Sequence, residues 1–266
     1  MYGMVVIVKR PDEKYVAKSS NYTKDHRDLF IEYAKCMKDT FAPMQGSDDI
    51  VKKGDSIIGD IEDFRNTNDD NLCNISYADN FFKSRANGLN IGNNAAMLNA
   101  CFIDTKLGAM CAISDNDGLH LLKFVSQRSM GRAIEKLIID KKATIVLGGT
   151  DHIDMIQKEL ALYFDGKLQE FKTPIHLVGS DFQKKAWHAL MDIPYGQTRS
   201  YLEQAKAVGN SKAFRAVANA NSANKFSIII PCHRIVNHNG NLGGYAGGVK
   251  RKQWIIYHEK CSKNLL

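Results

Sequence analysis

The sequence predicts an α/β unit followed by a mainly helical unit with a helix-turn-helix, plus an extra N-terminal region whose fold it does not reveal. Over residues 98–164, short apolar runs alternate with amphipathic stretches and one hairpin signal, the texture of strands packed on helices. Over residues 180–220, two capping boxes, Ser180-Asp181-Phe182-Gln183 and Ser200-Tyr201-Leu202-Glu203, precede short helical patterns joined at Gly209-Asn210. Residues 1–94 hold one candidate helix face (Leu29, Ile31, Tyr33, Ala34, Met37) and an acidic, Asn-rich linker over 60–71. The chain therefore divides at 1–94, 95–178 and 179–266, the first part being an accessory domain, a partly disordered extension or the remnant of a regulator domain.

In order, strands are expected at 98–104 and 109–114. Asp115-Asn116-Asp117-Gly118 supplies a hairpin turn, and the return strand runs over 119–125. A helix over 130–140, a strand over 144–147 and a helix over 152–164 complete this unit. Ser180 opens a helix burying Phe182, Ala186, Trp187 and Leu190, which Ile193-Pro194-Tyr195-Gly196 ends. Ser200 opens a helix to about Val208, and Ser211 caps another over 212–220. Ala213, Ala216, Ala218 and Ala220 leave that last helix slim, with few side chains long enough to read base edges in a major groove. It suits a minor groove, where binding follows backbone and shape, although an ordinary packed helix pair has the same spacing. Residues 228–230 read as a short buried strand stopped by Pro231, and 250–260 as a helix.

With 266 residues, 44% hydrophobic and 24% charged, disorder throughout the chain is excluded. The net charge of +7 suits a polyanionic partner without establishing one. The cysteines at 36, 73, 101, 111, 232 and 261 form no Cys-x-x-Cys pair and no zinc spacing with histidine, so free thiols, no metal and no cofactor are expected. The apolar part of the first nine residues is too short for a secretory signal, and no run reaches transmembrane length. The expectation is a monomer in the cytoplasm, or in the nucleus if the source has one, without a membrane partner.

The chemistry centres on Pro231-Cys232-His233-Arg234. Here a thiol is followed by an imidazole and a guanidinium that favour its thiolate form. Taken alone, a single cysteine after an apolar run reads at least as well as a small core residue. Downstream, a glycine-rich loop over 237–248 leads to a helix ending His258-Glu259-Lys260.

Pro231-Cys232-His233-Arg234, Gly244-Tyr245-Ala246-Gly247-Gly248, and Trp254 with His258-Glu259 resemble the O6-alkylguanine-DNA alkyltransferases, the methylated-DNA–protein-cysteine methyltransferases of Ada and Ogt type. Upstream, Phe182, Trp187, Ile193-Pro194-Tyr195-Gly196, Ser200-Tyr201, the run Lys212-Ala213-Phe214-Arg215-Ala216-Val217 and Asn224 extend the match. The resemblance is strong over 180–259 and weaker over 95–178.

It implies an RNase H-like scaffold that does no chemistry, then a DNA-binding domain that takes an alkyl group from O6-alkylguanine, or O4-alkylthymine, onto Cys232 in a single turnover after base flipping. Glu259 orients His233, which deprotonates Cys232 through a water. Tyr201 crowds the flipped nucleotide's phosphate and protonates the leaving guanine. Arg215 fills the vacated stack in double-stranded DNA, approached from the minor groove with Ser200, Lys212, Ala213 and Ala216. Tyr245, Asn224, Ala246 and Gly244 form the pocket, Asn224 holding a loop or strand in place. Lys252 matches a family position near the active-site tyrosine and reads equally as a solvated lysine. Ala246 and Asn221 depart from the human-type pattern, Asn221 standing where that type has an apolar pocket residue. A damage-recognition protein without transfer, an Ada-like regulator and a cysteine hydrolase are the rival readings, the last lacking any specific sign of an oxyanion hole.

Overall fold

The computed structural model describes residues 82–86, 95–127 and 129–262. The readings made on residues 1–81 lie outside them. Residues 82–86 are helical, and Phe82 is buried and stacked on Phe102 at 5.7 Å.

The first half is a four-stranded sheet, ordered β3-β2-β1-β4, of β1 (Ala96–Ile103), β2 (Met110–Ser114), β3 (Leu119–Phe124) and β4 (Ala143–Leu147). β1 pairs antiparallel with β2, β2 antiparallel with β3, and β1 parallel with β4. The expected hairpin is present: the Asp115 amide donates to the Gly118 carbonyl, and the Asp115 carboxylate accepts from the amides of Asp117 and Gly118. Helices α1 (Met130–Lys141) and α2 (Asp151–Phe164) contribute to different cores. Leu98, Cys111, Ile113 and Leu121 pack with Ile134, Leu137 and Ile138 of α1. Met110, Ala112, Leu122 and Phe124 pack with Ile153, Ile156, Leu160 and Tyr163 of α2. Coverage of both faces explains why β2 and β3 read as apolar runs rather than alternating strands.

β3 lies at an edge of the sheet, and two later segments cover it. The Leu119 amide donates to the Pro174 carbonyl and the His176 amide to the Leu119 carbonyl, while the Leu122 amide donates to Lys225 and the Ser227 amide to Leu122. An open edge would be sticky. Here it is the rail that sets residues 225–227, and with them the approach to Cys232.

The second half is built from α3 (Asp181–Met191), β5 (Arg199–Ser200), α4 (Tyr201–Ala207), α5 (Phe214–Ser222), β6 (Ile235–Val236) and α6 (Val249–Ser262). Both capping boxes form, at Ser180 with Gln183 and at Ser200 with Glu203. Ala186, Ala205, Val217 and Ala220 bring α3, α4 and α5 together, with Phe182 only partly buried against them. The Trp187 indole donates to the Ala220 carbonyl at 2.9 Å.

Two expectations are corrected. Ser211 does not cap α5, which starts at Phe214 after Ala213; the Asn210 side chain accepts from the Lys212 amide and turns the chain instead. Asn221, the departure from the human-type pattern, exchanges hydrogen bonds of 2.8 and 2.9 Å with Gln204 through its side-chain amide, stitching α4 to α5. Residues 228–230 are a turn, not a strand. Buried Ile228 sits at φ +74°, a conformation that β-branched residues rarely adopt, and the Ile230 amide donates to Phe226. Pro231 (φ −80°, ψ 59°) then makes an inverse γ-turn, the Cys232 amide donating to the Ile230 carbonyl at 2.7 Å. An apolar triplet buried for either reason gives the same sequence signal.

Candidate active site

Cys232 opens a single 3-10 turn, Cys232–Arg234, at the end of this tight loop. Asn224 holds the loop from inside. Its Oδ1 accepts from the Phe226 amide at 2.8 Å, and its Nδ2 donates to the carbonyls of Ile230 (2.9 Å) and Phe226 (3.3 Å) and to the Cys232 sulfur (3.3 Å). The structural tie expected of Asn224 is therefore also a contact with the thiol. Burial pushes the thiol pKa up, and the Asn224 hydrogen bond and the charges of Lys252 and Lys123 pull it back. Arg234, expected beside the thiol, is not the cation that bears on it.

Arg234 binds Glu259 in a bidentate pair, Nε to Oε2 at 2.8 Å and Nη2 to Oε1 at 2.9 Å, while its Nη1 donates to the Ile193 carbonyl. Glu259, 1% exposed on α6, also accepts from the Tyr163 hydroxyl at 2.8 Å and the Gly196 amide at 3.1 Å, and meets His233 Nε2 at 2.8 Å. Burial alone would raise its pKa; His233 and Arg234 outweigh it and hold the carboxyl well below the usual carboxylate range. His233 is fully buried, and burial outweighs Glu259 to lower its pKa, leaving a neutral imidazole. With Nε2–H donating to the carboxylate, Nδ1 carries the free lone pair, and that atom has no hydrogen-bond partner among the described residues. Cys232 and His233 lie on a 3-10 turn rather than an extended backbone, where successive side chains still diverge by about a third of a turn.

The charges that organise this region come from α6, whose Arg251, Lys252, His258 and Glu259 are all buried. Lys252 is 0% exposed, overturning the solvated reading; its ammonium donates to the carbonyls of Ile235, Leu242 and Gly244. Burial brings its pKa down to about 8, against the pull of Cys232. Arg251 donates to the carbonyls of Leu107 and Gly247 and lies over the Phe124 ring. Two consecutive basic residues thus grip the glycine-rich loop. Gly247 is required there, because a Cβ would come within 2.6 Å of the Tyr245 ring. Tyr245, partly buried in the core, presents its ring edge-on to His233 at 6.5 Å.

The parallel pairing of β5 with β6 sets the start of α4, and so Tyr201, beside the same loop. Tyr201 is half-buried, and burial raises its pKa, so it keeps its proton. Ser200 is spent on its cap, donating to and accepting from Glu203. Gly244 and Ala246 are exposed on the loop. Lys212, Arg215 and Ala216 are exposed and Ala213 half-exposed around the start of α5, a surface separate from the buried cluster.

Sequence reasoning missed Tyr163, Gly196 and Lys123, and misassigned Arg234. Tyr163 and Gly196 meet Glu259 from far along the chain, and although Gly196 lies in the Ile193-Pro194-Tyr195-Gly196 motif, nothing local marks these contacts or the burial of Lys123. The fold also gathers Asp115, His120 and His176, whose ligand-type atoms lie within 4.8 Å of one another, a grouping invisible to local spacing. As placed, the Asp115 carboxylate meets His120 Nε2 at 2.6 Å and His176 Nε2 at 3.0 Å, and the two rings stack at 4.0 Å. The four described cysteines are free thiols, and no described helix is long and apolar enough to cross a membrane.

The family model of the 6-O-methylguanine DNA methyltransferase DNA-binding domain matches residues 181–261. A methylated-DNA–protein-cysteine methyltransferase of Methanosarcina acetivorans is 34% identical over 153 residues, covering 58% of this chain and 92% of the relative. One from Mycobacterium leprae is 49% identical over 102 residues, 38% of this chain and 62% of the relative. The crystal structure of Mycobacterium tuberculosis OGT in complex with DNA superposes with a TM-score of 0.53 at 34% identity, covering 63% of this chain and 94% of that one. The chain belongs to the methylated-DNA–protein-cysteine methyltransferase family.

Proposed function

We propose that the protein repairs DNA by moving the alkyl group of O6-alkylguanine, and of O4-alkylthymine, irreversibly onto its own Cys232. The observation that carries this reading is the Glu259–His233 pair with a neutral imidazole, its Nδ1 left free one residue from the thiol. His233 takes the thiol proton through a water, and the sulfur attacks the alkyl carbon. The carbon–O6 bond breaks with its electron pair going to guanine, which takes a proton from Tyr201. The products are a thioether and an unmodified base. Nothing in the site is equipped to cleave a thioether, so the reaction occurs once per molecule.

The target base lies inside the duplex stack and must rotate out to meet the thiol. Arg215, exposed at the start of α5, fills the gap left in the stack, with Lys212, Ala213 and Ala216 along the backbone in the minor groove, while Ser200, buried in its cap, serves this surface by setting the start of α4. α4 and α5 act as the helix-turn-helix, and the small residues between them support a close approach. Tyr245 stacks on the extruded base and Ala246 and Gly244 line its edge, while Asn224 steadies the thiol. Residues 95–178 serve as an RNase H-like scaffold and 179–266 as the acceptor domain, in a monomer working in the cytoplasm or nucleus without metal or cofactor. The DNA-bound relative supports DNA as the partner.

Intact mass with peptide mapping, after incubation with a duplex carrying one O6-methylguanine, tests the proposal. A single methyl increment on Cys232, absent in Cys232→Ala, is expected. DNA binding without any increment would leave a damage-recognition protein.

A further inference from the structure

Away from Cys232, a cavity of about 540 Å³ opens between α1, β3, the start of α3 and the turn after α5. Four cations line it, Lys123, Arg132, Lys136 and Lys225, against the single acid Asp140. Lys123 is 2% exposed, yet among the described residues its ammonium donates only to the Ser129 hydroxyl, at 3.3 Å. An ammonium has three donors, and a buried cation this poorly matched is costly. Burial lowers the Lys123 pKa; Cys232 opposes this and Lys225 adds to it. Asp140 is shared with Lys136 at 3.5 Å. Lys225 is half-buried; burial lowers its pKa, Asp140 opposes this, and Lys136 and Lys141 push further down.

A site that is short of negative charge, walled by a buried ammonium and large enough for a mononucleotide, calls for a phosphate. We propose that this cavity binds a phosphate group, seated on Lys123 and Lys225 with Arg132 and Lys136 at its mouth. The phosphate comes either from a free nucleotide or from the backbone of bound DNA. The first source is independent of the alkyl-transfer reading; the second rests on the chain binding a duplex.

Calorimetry of the full chain with dGMP and with inorganic pyrophosphate, alongside the salt dependence of duplex binding, distinguishes the sources. Lys123→Met and Lys225→Gln are the variants, the second altering only a half-exposed side chain so that folding is kept. If a free nucleotide is the ligand, the probes bind wild type, bind Lys225→Gln about tenfold more weakly, and are lost in Lys123→Met. If DNA supplies the phosphate, the free probes do not bind, and the log–log salt slope of duplex affinity falls by about 0.9 in Lys225→Gln. Absence of probe binding together with an unchanged slope overturns the proposal.

Discussion

Glu259 and Cys232 stand at the two ends of one constellation and are held in opposite ways. The carboxylate accepts from Arg234, Tyr163 and Gly196, pairs with His233, and is almost fully buried. The thiol is partly buried and has, among the described residues, the single side-chain donor Asn224. One end is a structural anchor that also holds an imidazole; the other is only lightly tied. The charge that binds the two halves of the fold together is therefore also the charge that fixes the imidazole tautomer.

The largest effect expected from this contrast is at the anchor. Glu259→Gln strands the Arg234 guanidinium in the interior and should cost about 3–5 kcal/mol in chemical denaturation. It should also slow transfer by about 10²-fold or more. A variant as stable as wild type would remove the anchor from the account.

Acid should act on the same helix. Burial pushes the His258 pKa down to about 4. The folded state holds His258 neutral while the unfolded chain takes up a proton below about pH 6.5, so stability falls with pH across that window. The loss amounts to about 3 kcal/mol between pH 6.5 and 4, with His233 acting in the same direction. Glu259, with its pKa depressed, adds a further loss below about pH 4.3. Denaturation midpoints measured from pH 7 to 4 should follow this slope in wild type and flatten over the upper window in His258→Phe.

At the reactive end the effects on stability are smaller. Asn224→Ala leaves the buried Ile230 and Phe226 carbonyls without a side-chain donor and should cost about 1–3 kcal/mol. It should also slow iodoacetamide labelling of Cys232, because a hydrogen bond that favours the thiolate is lost. Cys232→Ala should abolish transfer while shifting stability by less than about 1 kcal/mol. A large stability loss in Cys232→Ala would make the thiol part of the packing rather than a group held ready.

What could be read in advance follows the length of the contacts. The hairpin at 115–118, both capping boxes and the Cys232, His233 and Glu259 set announce themselves within a few residues, through turn chemistry or a resemblance. Tyr163 lies 96 residues from the carboxylate it supports, and its position in an apolar helix face reads as core. Lys123 reads as an ordinary charged residue, and Lys252 reads as a solvated lysine as readily as a match to a family position, because nothing local signals their burial. The apolar triplet at 228–230 misled because a buried turn and a buried strand exclude water equally; only the backbone at Ile228 separates them.

The most direct test of the account is the single-turnover transfer rate from an O6-methylguanine duplex between pH 8 and 6. With a neutral His233 as base and a thiol whose pKa burial has raised, the rate should stay flat across this range in wild type and be much lower in His233→Gln. A rate that climbs about tenfold per pH unit, equally in both proteins, would mean that free thiolate is the reacting species and that the Glu259–His233 pair takes no part in the chemistry.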